Sequence, residues 1–164
     1  MNSETPILGA LRVSLAPFEP ARHFTGVYLG WLNDPRLMRY SEQRHRRHDL
    51  SDCAAYIAAV THMWAIEDHD AGYIGTCAID LDAPNNTCDL GILVGRMRGT
   101  GRGREAWRAM LDFANRRYRR VAAGCMETND AMKRILEATM TFDYRVKDRF
   151  EWEGRAVDAL YYRG

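Results

Sequence analysis

The sequence has no apolar run approaching the ~18 residues that a membrane-crossing helix needs, which removes the helical membrane proteins. Its N-terminus, MNSETPILGALRV, has no basic segment leading into an apolar one. A secretory signal is therefore not expected, and a cytoplasmic location is. The sequence also lacks an excess of either charge: 23 Lys and Arg against 22 Asp and Glu leave a net charge of +1. A dedicated nucleic-acid binder would be basic across a whole face, so neither nucleic acid nor membrane is an expected partner. The four cysteines, Cys53, Cys77, Cys88 and Cys125, form no CxxC pair, and the expectation is buried free thiols and no metal. No repeat, low-complexity tract or long linker interrupts the 164 residues. That length fits one domain, residues 1–164, and the 46% of apolar residues can fill its core.

Periodicity orders the elements. Residues 7–15 alternate roughly as an opening strand. Residues 21–33 place Phe24, Val27, Tyr28, Trp31 and Leu32 at helical spacing, with Pro20 before them and Asn33-Asp34-Pro35 as a stop. After the polar stretch MRYSEQRHRRHD, a helix is predicted from Asp49 or Ser51, with Leu50, Cys53, Ala54, Ile57 and Ala58 on one face. Strands are predicted at 63–67, 73–80 and 87–94, then a helix over 101–117 with Trp107, Met110, Leu111 and Ala114 inward. A strand at 121–126 and a helix over 129–140 follow, the latter turning Met132, Ile135, Leu136 and Thr139 inward. Residues 144–152 and 156–163 form a closing hairpin around Glu153-Gly154. The helix between the strands at 87–94 and 121–126 makes those two a candidate parallel crossover, and the whole reads as mixed α/β around one sheet.

Residues 94–104, VGRMRGTGRGR, sit where a strand gives way to a helix. Glycine there lets the backbone turn with positive φ and approach a ligand with no Cβ in the way. The helix that follows offers unpaired N–H groups and a partial positive charge, so the junction suits a phosphate or pyrophosphate. A P-loop would need GxxxxGK[ST], and no lysine is present here. A dinucleotide fingerprint would need a glycine where Arg104 stands. What the stretch does spell is R-x-x-G-x-G, from Arg98 to Gly103.

With that motif the chain resembles the GNAT superfamily of acyl-CoA-dependent N-acetyltransferases. The strand DLGILVG before the loop and the helix GREAWRAMLDFA after it resemble the family's fourth strand and its loop helix. NDAMKRILEATMTF is similar to the family's N-x-x-(small)-x-x-x-(L/Y)-E-x-x-G-F. WLNDPRLMRY and the ending FEWEGRAVDALYY resemble the branch of ribosomal-protein and amino-sugar N-acetyltransferases. The resemblance implies a single mixed, mostly antiparallel sheet flanked by helices, with one parallel crossover pair at the coenzyme A site. It implies acetyl-CoA as co-substrate, held by Ile92, Leu93, Val94, Arg98, Gly99, Thr100, Gly101, Arg102, Gly103, Asn129 and Met132. Within the loop, Arg98 is expected to face the ligand, and Arg96 and Arg104 solvent. A side chain at Gly101 or Gly103 is expected to fill pyrophosphate space.

Two positions depart from the family pattern. The tyrosine that acts as acid to the leaving thiolate is replaced by Leu136, and the glycine before the last Phe is absent from Met140-Thr141-Phe142, so that helix end is expected to shift. The missing tyrosine is survivable, because a thiol of pKa ~8.5 needs little help to leave. The acceptor amine, pKa ~10.4 when protonated, needs a base or a water relay. Asp89, at the start of the thioester-bearing strand, and Glu42 are the candidates, each otherwise a solvent-facing residue. Backbone N–H groups on 90–94 are the candidate oxyanion donors. In related families the stretch YSEQRHRRH lines the acceptor cleft, which makes Tyr40, Glu42, Arg44, His45 and His48 candidate acceptor contacts. Its arginines with Glu42 and Asp49 suit an amine near a phosphate or carboxylate. Cys125 is read as a structural thiol rather than an acyl carrier. A small-molecule amine is the expected acceptor. The alternatives are a protein N-terminus or lysine, and a non-catalytic acyl-CoA-binding module. A homodimer is compatible with the sequence.

Overall fold

A computed structural model describes residues 4–164. Eight strands form one sheet: β1 (Leu8–Gly9), β2 (Val13–Pro17), β3 (His62–Asp68), β4 (Gly72–Asp82), β5 (Thr87–Val94), β6 (Arg120–Met126), β7 (Thr141–Trp152) and β8 (Arg155–Arg163). Their order across the sheet is β1-β2-β3-β4-β5-β6-β8-β7. Every neighbouring pair is antiparallel except β5 and β6, the expected parallel pair. The helices are α1 (Pro20–His23), α2 (Val27–Leu32), α3 (Leu50–Ala59), α4 (Arg102–Arg117) and α5 (Asp130–Thr139).

The alternation of strand β5 sorts the layers. Cys88, Leu90, Ile92 and Val94 pack with Trp107, Met110 and Ala114 of α4 and with Leu136 of α5. Leu93 packs on the opposite face with Tyr28, Trp31, Cys53 and Met63, beneath α2 and α3. Helix α4 keeps the inward set predicted from its period, and Trp107, Met110, Leu111 and Ala114 are all buried. Helix α3 starts on a capping box in which Asp49 and Asp52 each accept the other's backbone N–H. Of its predicted inner face, only Cys53 is buried, and Leu50 is exposed.

Three local expectations give way to backbone chemistry. The helix predicted over 21–33 is two short helices, because Gly26 between them stands at φ 79°. The opening strand is broken by a turn in which Ala10 N donates to Val13 O at 2.9 Å. Helix α5 ends at Thr139, and Met140 goes straight into extended geometry, so no left-handed residue, and no glycine, is needed there. The closing hairpin turns on Glu153 and Gly154, both at positive φ, which matches the twist of long antiparallel strands.

Candidate active site: a cavity through the splayed strands

Strands β5 and β6 pair only over Thr87–Asp89 and Arg120–Ala122. Beyond that point β6 stays with β8 while β5 stays with β4, and the two part as a wedge. Alternate N–H and C=O groups of residues 90–94 therefore face the gap rather than a strand. A cavity of about 710 Å³ occupies the wedge, and its lining draws on both faces of β5. Ile92, Leu93, Val94, Arg98, Gly99, Gly101, Gly103, Asn129 and Met132 all line it.

The glycine–arginine loop delivers the start of α4 to this cavity. Gly101 is the residue before the helix, at φ 85°, and no side chain caps the helix start. Intrahelical bonding begins with Glu105 N to Gly101 O, so the N–H groups of Arg102, Gly103 and Arg104 precede it. Two ion pairs fix this helix start. Arg102 donates to Asp68, whose carboxyl is held down at about 2 by that bond and by N–H groups of the β3–β4 turn. Glu105 accepts from Arg12 Nε at 2.5 Å and from Arg12 N at 2.9 Å. Arg102 thus faces away from the cavity, and neither it nor Thr100, which bonds Met97 O, is part of the lining. Arg98 and Arg104 line the cavity and Arg96 does not, and all three side chains remain exposed to solvent.

The glycines serve packing more than expected. A Cβ on Gly103 would sit 3.0 Å from Val94 Cγ2, and one on Gly101 would sit 2.9 Å from Arg12 Nη2. Gly103 lets α4 press onto β5, and Gly101 supplies a left-handed backbone. Gly95, in the same loop, lies against the Trp31 indole so closely that a Cβ would fall 2.1 Å from Cε2. No sequence motif marks that contact between the loop and α2.

The other half of the cavity lies under α2, α3 and the segment between them. Tyr28, Leu32, Leu37, Met38, Tyr56 and Met63 supply apolar walls, with Tyr40, Gln43, Arg46, His48 and Asp52 around them. Segment 36–48 arches over this half and is strapped to the β7–β8 turn. Trp152 Nε1 donates to Arg39 O at 3.0 Å, Arg44 Nη2 donates to Glu151 O at 2.6 Å, and Arg39 pairs with Glu153 at 2.9 Å. Tyr40 stacks on Trp152 with ring centroids 5.5 Å apart. At the other end Asn33 clamps His48, accepting its N–H at 2.8 Å and donating to its carbonyl at 2.9 Å.

Of the predicted acceptor contacts, Tyr40 and His48 line the cavity. Glu42, Arg44 and His45 do not, because they hold one another and the strap. Arg44 Nη1 lies 2.7 Å from Glu42 Oε1, and His45 Nε2 lies 3.6 Å from the same atom. Asp89 lies outside the lining too, but on the same face of β5 as the lining residue Gly91, about 7 Å along the strand. Partial desolvation and the Asp80 carboxylate directly opposite on β4 push its carboxyl up. Asn129 caps α5, its side chain accepting Met132 N at 3.2 Å. Leu136, at the position of the family's acid, is fully buried in the core. Cys125 lines the cavity, and burial pushes its thiol up to about 11. All four cysteines are free, and among the described residues no His, Cys, Asp or Glu group is gathered for a metal. No helix among them is long and apolar enough to cross a membrane.

A splayed strand pair with an uncapped helix start and arginines at its mouth is a receptacle for a long arm ending in a pyrophosphate. The proteins defined by that arrangement are acyl-CoA-dependent acetyltransferases. Residues 12–139, well over half of the chain, match the acetyltransferase (GNAT) domain model, and the chain belongs to the GNAT family of N-acetyltransferases. No protein of curated function matches it by sequence. Among solved structures it is similar to RimL, a ribosomal L7/L12 α-N-protein acetyltransferase in complex with coenzyme A. The TM-score is 0.81 at 14% identity, covering 97% of each chain. It is also similar to a GNAT-family acetyltransferase from Bacillus anthracis (TM-score 0.78, 17% identity, 96% of this chain and 97% of that one). A third relative is the microcin C7 self-immunity acetyltransferase MccE, in complex with acetyl-CoA and AMP (TM-score 0.71, 15% identity, 93% and 92%).

Proposed function

We propose that the protein transfers the acetyl group of acetyl-CoA to the primary amine of a small molecule by direct attack, with both substrates bound together. The observation that carries this reading is the strap. Arg44, Trp152 and Arg39 tie the arch to the β7–β8 turn, and an acceptor half held in place in this way favours a small amine over a folded protein.

The residues fit acetyl-CoA in three respects: free strand edge, uncapped helix start, and Arg98 at the junction. Acetyl-CoA supplies the activated acetyl group. Backbone N–H groups on the free edge of β5 stabilise the oxyanion that develops as the amine attacks. Asp89, on the same sheet face as Gly91, accepts the ammonium proton through water, and its raised affinity for protons suits it to that exchange. Glu42 is a weaker base candidate, being held by Arg44 outside the lining. The phenols of Tyr28 and Tyr56 line the acceptor half and are pushed up by burial, so they stay protonated donors at neutral pH. A Cys125 thiol at about 11 is hardly ionised at neutral pH, which speaks against a covalent acyl carrier.

The arch also gives the acceptor a character. Arg46 lines the cavity with only a 3.6 Å contact to Asp52, whose other oxygen is occupied by Asp49 N. Most of the Arg46 donors are therefore available, and an amine carrying an apolar body and an anionic group suits the pocket. The test is release of free thiol from acetyl-CoA across a panel of amines, with anionic, neutral and cationic members of equal size. Thiol release with anionic apolar amines supports the reading, and tight CoA binding with no release for any amine rejects it. A protein N-terminus is the second reading, favoured by the likeness to RimL. Changed N-terminal acetylation in the proteome of a deletion strain, with no small amine turned over, would put it first.

A further inference from the structure

The cavity holds more positive charge than a pyrophosphate uses. Four arginines line it: Arg46 at the acceptor end, and Arg98, Arg104 and Arg134 beyond the wedge. Arg46 has the Asp52 contact, while among the described residues Arg98, Arg104 and Arg134 have no carboxylate partner. Neighbouring acids are engaged elsewhere. Glu105 is bound to Arg12, and Asp130 lies 3.1 Å from Lys133 Nζ. Helix α5 divides its charge by face: Asp130, Lys133 and Glu137 line a separate depression toward β7 and β8, while Ala131, Met132, Arg134 and Ile135 face this cavity.

The covalent order of coenzyme A limits what can reach these side chains. With the thioester at the free edge of β5 and the pyrophosphate at the start of α4, the nucleotide must continue outward past that helix start. It carries one further group of high charge, a ribose phosphate monoester with roughly −1.5 to −2 charges at neutral pH. Arg98 and the helix N–H groups serve the pyrophosphate. Arg104, in the first turn of α4, and Arg134, on the adjoining α5, remain for the monoester.

We infer that Arg104 and Arg134 together bind the 3′-phosphate of coenzyme A, so that the protein selects coenzyme A over its 3′-dephosphorylated form. This inference rests on the transferase reading above, and the experiment separates the two. Calorimetric titrations of the full chain with CoA and with dephospho-CoA are run for the wild type, Arg134→Ala and Arg104→Gln. Circular dichroism confirms matched folding. The wild type should bind CoA at least about tenfold more tightly than dephospho-CoA, the scale of a charge-assisted hydrogen bond. Arg134→Ala should lose about tenfold for CoA and almost nothing for dephospho-CoA. Arg104→Gln should shift the same ratio in the same direction. Equal wild-type affinities for the two forms overturn the inference and leave the transferase reading standing. So does an Arg134→Ala variant that loses both ligands in the same proportion. Wild-type protein that binds neither form overturns both.

Discussion

The two halves of the cavity are made of different material. The cofactor half is largely backbone: a free strand edge, a helix start and a left-handed glycine, all between residues 90 and 104. The acceptor half is side chains, held by bonds between positions far apart in the chain, such as Trp152 to Arg39 and Arg44 to Glu151. Backbone N–H groups read only the shape and charge of a phosphate, which is common to every use of acetyl-CoA. Side chains on an arch can change without disturbing the sheet, and the choice of acceptor can vary while the transfer chemistry stays.

Variants can break each half separately. Gly103→Val should have the largest effect, because its Cβ already meets Val94 and two further methyls must push the helix start away from β5. A displacement of ~1 Å can cost about 100-fold in rate, and a fall in kcat/KM for acetyl-CoA on that order is expected at matched folding, with weaker CoA binding by calorimetry. Arg44→Ala should act on the other half alone. Removing its bond to Glu151 O should raise the acceptor KM about fivefold, the worth of one hydrogen bond of ~1 kcal/mol, with CoA affinity unchanged. Equal losses for both substrates would mean that the strap supports the whole cavity.

Two smaller effects follow from charge. Asp68 is held at about 2, below its unfolded value near 3.9. Its pair with Arg102 therefore stabilises the fold fully above pH ~4, and that stabilisation is lost as pH falls toward 2. Urea titrations should show Arg102→Ala less stable than the wild type at pH 7, with the gap closing between pH ~4 and 2. A gap that stays constant would mean that the pair has no part in it. The smallest shift is expected from Asp80→Asn. Asp89 is pushed up partly by the Asp80 charge, so removing that charge should move the acid limb of kcat/KM to lower pH by less than one unit. An acid limb that stays in place would remove Asp89 from the proton path.

How much was legible in the sequence divides along the same line. The parallel crossover, the helix over 102–117 and the R-x-x-G-x-G junction are local patterns, and the structure has each of them. Arg102 misled because a motif position does not say which way a side chain turns, and the buried carboxylate of Asp68 lies 34 residues away. Arg104, expected at the solvent, is exposed there and also lines the cavity from the first turn of α4. Glu42, Arg44 and His45 were legible as a charged cluster but not as a strap, since the partner turn at Glu151–Glu153 is more than 100 residues downstream. The close approach of Gly95 to Trp31 had no sequence signal beyond an unassigned glycine. Gly26, by contrast, could have been read as a break in the helix predicted over 21–33, since glycine is the residue that adopts a left-handed backbone without strain.

The central claim is that residues 98–104 form a shaped phosphate cradle rather than a diffuse basic patch. The most direct measurement is a CoA titration of Arg98→Ala and Arg96→Ala at low and high ionic strength. Arg98 lines the cavity, and its loss should cost on the order of 1.5–3 kcal/mol at both salt concentrations. Arg96 lies outside it, and its loss should cost about 0.5 kcal/mol at low salt and nothing measurable at high salt. Equal losses from the two variants, both vanishing in salt, would contradict the account.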